Sequence, residues 1–290
     1  MTRWTPADIP AQTGRTVIVT GGSSGLGAEV VRALCAAGAQ VILTCRDERR
    51  GRAVAQSVDR REPEVHRLDL ADLKSVRAFA ETLERPVDVL VNNAGVMAVP
   101  YSVTADGFEQ HIGTNHLGPF ALTGLLLDRV RDRIVTVSSG LHRLGRIHLD
   151  DLHYEHRRYQ RWLAYAQSKL ANLLFAYELQ RRLPADGPLS VAAHPGVAAT
   201  EGQRRDTSLQ GKILAGGRAQ PPSMGALPLL HAATAPGGEG GICIGPDGLF
   251  QRNGYPQRVT TSGRSRDTET ASGLWDRSER ATGVRYTFGS

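Results

Sequence analysis

Cysteine is scarce in this chain: three in 290 residues, Cys35, Cys45 and Cys243, far apart and without C-x-x-C spacing. That excludes a disulfide framework, offers no zinc motif, and fits a reducing, cytoplasmic setting. Long apolar runs are missing as well. No stretch reaches bilayer-spanning length, and the polar N-terminus, with Pro6 and Pro10, has no apolar signal core. The expectation is therefore a protein with neither export signal nor membrane partner. Lysine is rare too, confined to Lys74, Lys169 and Lys212, so the net charge of +6 rests on arginines dispersed among acids. Dispersed charge reads as a solvated surface, and no nucleic-acid partner is expected. There is no internal repeat. The balance of 40% apolar and 22% charged residues excludes a coiled coil, a collagen and a disordered tail, and the length suits a single α/β domain.

What is present is alternation. Short β-branched runs at Thr16–Thr20, Gln40–Cys45, Val65–Asp69, Val87–Asn92, Arg133–Ser138 and Leu189–His194 read as buried strands. Amphipathic stretches at Ala28–Ala37, Leu73–Leu83, Phe108–Val130 and Tyr165–Leu183 lie between them. Strand–helix repetition of this kind predicts an α/β, doubly wound Rossmann fold, its mostly parallel sheet covered by helices on both faces. Residues 1–290 are expected to form one domain, with a substrate loop near 200–220 and a C-terminal extension near 236–290. That extension is rich in Gly, Arg, Ser and Thr and carries a helix around Asp267–Arg280. It reads equally as a fraying tail or as a cap over the mouth of the site.

Ligands of doubly wound sheets bind beyond the carboxyl ends of the strands. The first strand runs into Gly21-Gly22-Ser23-Ser24-Gly25-Leu26-Gly27 and then a helix. Glycines allow the tight turn and the close approach of a pyrophosphate, and the helix N-terminus supplies N–H groups and a positive dipole end. The second strand ends at Cys45-Arg46. An acid is expected near this point in NAD enzymes, whereas Arg46 can fork onto a 2′-phosphate with help from Ser23 or Ser24. NADP(H) is the cofactor this favours; the plainer alternative is a surface Arg46 beside a helix-capping Asp47. Asp69, with Leu70 after it, either accepts from an adenine amino group or caps the helix near Leu73.

Asn92-Asn93-Ala94-Gly95, Ser138-Ser139 and Pro195-Gly196 follow the later strands, and Tyr165 and Lys169 share one helical face. A tyrosine titrates at about 10, and a fixed ammonium beside it is the direct way to stabilise its phenolate for proton transfer. His142, His148, His153 and His156 cluster without matching carboxylate or cysteine spacing. They read as surface histidines of an insertion, and no metal is expected.

Together these segments resemble the short-chain dehydrogenase/reductase family over nearly the whole chain, through Thr20–Gly27, Asn92–Gly95, Asn115, Ser139, Tyr165, Lys169 and Pro195–Thr200. Asn92–Tyr101 (NNAGVMAVPY), Thr104–Leu117 (TADGFEQHIGTNHL) and Gln167–Leu174 (QSKLANLL) are similar to its retinol-dehydrogenase-like branch, with protochlorophyllide oxidoreductase a distant neighbour. The resemblance implies Tyr165 as general acid or base and Ser139 as the partner of the substrate oxygen. It implies that Lys169 holds the nicotinamide ribose and lowers the tyrosine pKa, and that Asn115 holds a water. Asn92, Ala94, Gly95, Pro195, Gly196 and Thr200 would line the cofactor. Expected partners are a medium to large, water-accessible carbonyl or alcohol and, through the Tyr165–Leu183 helix, a second copy of the chain. The competing expectation is an NADP(H)-binding redox sensor without turnover.

Overall fold

A computed structural model describes residues 3–198 and 219–288. Its strands are β1 (Thr16–Thr20), β2 (Gln40–Cys45), β3 (Glu64–Arg67), β4 (Val87–Asn92), β5 (Val130–Val137), β6 (Leu189–Ala193), β7 (Cys243–Pro246) and β8 (Pro256–Arg258). They form one sheet in the order β3-β2-β1-β4-β5-β6-β7-β8, parallel throughout except that β8 runs antiparallel to β7. The order reverses between β1 and β4, where a crevice opens beyond the strand ends.

Side chains alternate across this sheet. Val17, Val19, Val41, Leu43 and Val135 face α1 (Gly25–Ala36) and a later helix over Pro222–Thr234. Ile18, Ile42, Leu90 and Ile134 face α3 (Leu73–Glu81), α5 (Gly118–Leu126) and α6 (Arg161–Arg182). The remaining helices are α2 (Glu48–Ala55), the single turn α4 (Gln110–Ile112), α7 (Pro222–Thr234) and α8 (Thr268–Thr282).

Several boundaries differ from the sequence pattern, each for a local reason. β3 is an edge strand with exposed ends, not a buried one. The Phe108–Val130 stretch is not one helix: α4 passes into a π-helical turn at Gly113–Leu117 before α5, and Val130 already belongs to β5. α6 starts four residues before Tyr165 because the Gln160 side chain accepts from the Leu163 N–H at 2.7 Å and caps it.

The C-terminal extension is neither frayed nor only a cap. It supplies β7, β8 and α8, and Trp275 is buried among Phe120, Phe175 and Tyr286. The Tyr286 hydroxyl donates to the Phe120 carbonyl at 2.6 Å. α8 lies along α6, 17 of whose 22 residues are buried.

Candidate active site

Backbone builds the phosphate end of the crevice. Gly21 has φ +67° and Gly25 φ +52°, a left-handed region that side chains rarely adopt. A Cβ on Gly27 would lie 2.3 Å from the Gly21 carbonyl oxygen, and one on Gly21 2.9 Å from the Ala94 Cα. The Ser24 side chain makes no hydrogen bond to the first turn of α1, so the N–H groups that open this helix are left uncapped by it. Leu26 packs toward Gly225 of α7.

At the end of β2 the Cys45 thiol donates to the Asp47 carbonyl at 3.2 Å, and Arg46 is exposed. Asp47 caps α2 by accepting from the Arg49 N–H at 3.0 Å, so a capping Asp47 and a free-standing Arg46 coexist. Asp69 is half-buried and turns its Oδ1 onto the Ala71 N–H at 2.9 Å. The cap of α3 is Asp72, not Asp69. Leu70 is buried under Gly118.

The loop after β4 is held by two residues the motif reading passed over. Thr20 Oγ1 accepts from the Asn93 and Ala94 N–H groups, both at 3.0 Å, and Asn93 Nδ2 donates to the Thr20 carbonyl at 2.8 Å. Asn92 points the other way, donating to Thr123 Oγ1 at 2.9 Å. A Cβ on Gly95 would sit 2.9 Å from Asn115 Oδ1 and 3.5 Å from Lys169 Nζ. Asn115 itself lies in the π-helical turn, a distortion common at functional sites. Its Oδ1 accepts from the Val96 N–H at 2.7 Å, and its Nδ2 donates to the Val96 carbonyl and to Ser168 Oγ, both at 2.9 Å.

Ser139, Tyr165 and Lys169 come together at the ends of β5 and α6. Ser139 is half-buried beside the Tyr165 phenol, where its hydroxyl favours the ionised form, and its Oγ accepts from the Leu141 N–H at 3.3 Å. Its neighbour Ser138 is structural, donating to the Lys169 carbonyl at 2.7 Å. Lys169 Nζ donates to the Val137 carbonyl at 3.0 Å and stands 5.8 Å from the centre of the Tyr165 ring. Burial dominates both ionisations. It pushes the Tyr165 phenol up to about 12 against the pull of Ser139, and the Lys169 ammonium down to about 8. The lowering of the phenol expected from Lys169 is not seen; burial sets its pKa and only Ser139 opposes it.

Around the phenol lie Met97, Ala98, Leu141 and Trp162, an apolar wall. Ala98 is held at φ +49°, a conformation costing a non-glycine residue about 1–3 kcal/mol. Tyr154 and Tyr159 sit edge-to-face beside it at 5.3 Å.

Beyond β6, Pro195 and Gly196 are fastened by the C-terminal extension. The Val197 N–H donates to the Arg252 carbonyl at 2.7 Å, and Gln220 Nε2 donates to the Pro195 carbonyl at 2.7 Å. Gly196 has φ +67°, and a Cβ there would meet the Arg252 oxygen at 2.4 Å. His194 is buried, bonded to the Gly196 N–H and to Gln251, and burial pushes it down to about 4. Thr200 and nearly all of the expected substrate loop lie outside the described residues.

The histidines expected at the surface are not all there. His142 is buried between the Ser139 carbonyl and the Ser262 N–H, and His153 accepts from the Glu109 N–H at 3.2 Å. The Glu109 and Ser262 contacts were not legible from local sequence, because those partners lie 44 and 120 residues away.

Comparison with known proteins agrees with this geometry. The family model described as short chain dehydrogenase matches residues 15–210. Human retinol dehydrogenase 12 is 41% identical over 94% of this chain and 88% of its own. A crystal structure of an uncharacterised protein from Mycobacterium paratuberculosis superposes with a TM-score of 0.87 at 47% identity, covering 99% of this chain and 100% of that one. A blue fluorescent protein from a metagenomic library, solved with NADPH, gives 0.65 at 29% identity over 80% and 96%. Fold, strand-end residues and relatives together define a hydride-transferring oxidoreductase that acts on CH–OH and C=O groups. The chain belongs to the short-chain dehydrogenase/reductase family, in its retinol-dehydrogenase-like branch.

Proposed function

We propose an NADP(H)-dependent carbonyl or alcohol oxidoreductase in which Tyr165 exchanges the proton. The observation that carries this reading is the Tyr165 phenol itself, buried, with Ser139 beside it and Lys169 Nζ 5.8 Å from the centre of its ring.

The glycine cradle and the uncapped start of α1 fit a pyrophosphate. Arg46 and Ser23 stand where a 2′-phosphate would be recognised, and no acid occupies the end of β2. The bound nicotinamide supplies or accepts the hydride; the protein's own residues handle the oxygen and the proton. Ser139 steadies the substrate oxygen as charge develops on it. Tyr165, held neutral by burial, then donates its proton to that oxygen. Transfer runs downhill, because an alkoxide is a stronger base than a phenolate. Lys169 stabilises the phenolate left behind, and Gly95, Asn115 and Pro195–Gly196 shape the surrounding wall. In oxidation the same proton returns to Tyr165.

Among the described residues no helix is long and apolar enough to cross a membrane. The apolar wall of Met97, Ala98, Leu141 and Trp162 favours a medium to large aldehyde or ketone. The retinol named in the relatives' titles is apolar as well, which supports that preference. We take the stretch near 200–220 as the substrate loop and 1–290 as one domain.

The test is a panel of aldehydes, ketones and alcohols with NADPH or NADP+, followed by absorbance of the reduced nicotinamide. Apolar contact at about 25 cal/mol per Å² makes specificity constants rise with alkyl or aryl size. Tight NADPH binding with no turnover across the panel would overturn the assignment in favour of a cofactor-binding sensor.

A further inference from the structure

The strap Val96–Val99, which carries Ala98 against Tyr165, is tied down at both ends. At Val96 the tie is Asn115, whose amide takes both peptide groups. At Val99 the two peptide groups go to different side chains. The Val99 N–H donates to His111 Nε2 at 3.2 Å, and the Tyr159 hydroxyl donates to the Val99 carbonyl at 3.0 Å. Since His111 Nε2 accepts, Nδ1 carries the proton, and it donates to Glu109 Oε1 at 2.8 Å. Glu109 Oε2 takes the Ile112 N–H at 2.9 Å, and the Tyr159 hydroxyl lies 3.3 Å from Oε1.

Glu109 and His111 are both fully buried. An ion in such a place persists only when every lone pair has a donor, and each of these bonds fixes a direction. Glu109 therefore sets the tautomer of His111 and the position of Tyr159, and these two set the plane of the Val99 peptide. Between the two ties Ala98 is forced into the left-handed region at φ +49°, with its methyl in the cluster that contains Tyr165 and Trp162. Strain of this kind survives where the surroundings over-determine it, and here four hydrogen bonds do so.

We propose that Glu109, His111 and Tyr159 are positioning residues that hold the Met97–Ala98 wall against Tyr165, so that the phenol meets the substrate oxygen at one fixed distance. This rests on the oxidoreductase reading above for its effect on turnover. The clamp itself is a statement about the strap and is tested without turnover.

The test uses Tyr159→Phe, with Glu109→Gln as a second variant, in the full-length protein. Amide hydrogen exchange at Met97, Ala98 and Val99 accelerates at least about tenfold in Tyr159→Phe, while Val89–Val91 of β4 stay protected. Turnover number falls about tenfold with the KM for NADPH unchanged, the split expected when geometry at the reacting centre loosens. On the Tyr159→Phe background Ala98→Gly, which reaches positive φ without strain, restores at least about half of that loss, judged against Ala98→Gly alone. Unchanged exchange at the strap in both variants overturns the clamp. So does a turnover loss that Ala98→Gly leaves in place. Should the unmodified protein turn over no carbonyl, the functional reading fails and the exchange measurement still decides the clamp.

Discussion

On the β1–β2 side of the crevice the proposed binding surface is backbone, whereas on the β4–β6 side it is side chains buried by distant parts of the chain. Gly21, Gly25 and Gly27 work by lacking a Cβ, and their role follows from a seven-residue motif. Ser139, Asn115, Tyr165 and Lys169 work by being held in place. Their supports reach from Val96, Val137 and Ser168 to the C-terminal helix, where His116, next to Asn115, meets Ser278 Oγ at 2.9 Å. A backbone site tolerates exposure because its geometry is local. A side-chain site requires a second layer that sequence spacing does not display.

If this division is right, mutations on the two sides separate into affinity and rate. The largest effect is Tyr165→Phe, which removes the transferable proton and leaves the ring. Turnover falls about 100- to 10,000-fold, the usual worth of a positioned acid, while NADPH affinity measured by titration stays within about twofold. Near-normal turnover in this variant would assign the proton to another group and end the distinction at its strongest point.

How much of this was legible depended on the same division. The glycine loop, the mostly parallel sheet implied by alternation, and the Tyr165–Lys169 pair are local patterns, and the fold places them together. Of the C-terminal extension only the helix around Asp267–Arg280 was legible, with Leu274 and Trp275 as its apolar contacts; the Gly-, Arg- and Ser-rich composition around it resembles a tail and hid β7 and β8. Only burial shows that Trp275 fills the layer between α5 and α6. Trp275→Ala should therefore cost about 3–5 kcal/mol of stability, as expected for a large aromatic removed from a packed core. Denaturant unfolding at neutral pH measures it. A cost below about 1 kcal/mol would return the extension to the status of a loose tail.

The side-chain half of the crevice also predicts sensitivity to acid that the backbone half lacks. Burial depresses His194 from 6.5 to about 4, so between those values the unfolded chain binds the proton more readily than the folded one. Stability is accordingly whole above pH 6.5 and declines as pH falls toward 4, by about 3 kcal/mol for this one residue. His194→Gln keeps a polar side chain that cannot charge. Its stability at pH 4 relative to pH 7 should therefore fall less than that of the unmodified protein. Identical pH dependence in the two would show that folding does not depress the His194 pKa.

The smallest effect concerns the one side chain on which the backbone half relies. Arg46 is exposed, beside Ser23 and Cys45, with Asp47 already occupied in capping α2. Its guanidinium has a fork to offer a 2′-phosphate and nothing comparable to offer a 2′-hydroxyl. NADPH is therefore expected to bind at least about tenfold tighter than NADH, a difference of about 1.4 kcal/mol. Solvent screening at an exposed site keeps the gain modest, and raising the salt concentration shrinks it further. Arg46→Asp removes the fork and adds an acceptor for ribose hydroxyls, so the preference should vanish or invert while turnover with saturating cofactor is nearly unchanged. Titrating both cofactors against both proteins reads this directly. Equal affinities in the unmodified protein would show that the end of β2 does not read the phosphate, and Arg46 would then be a surface arginine.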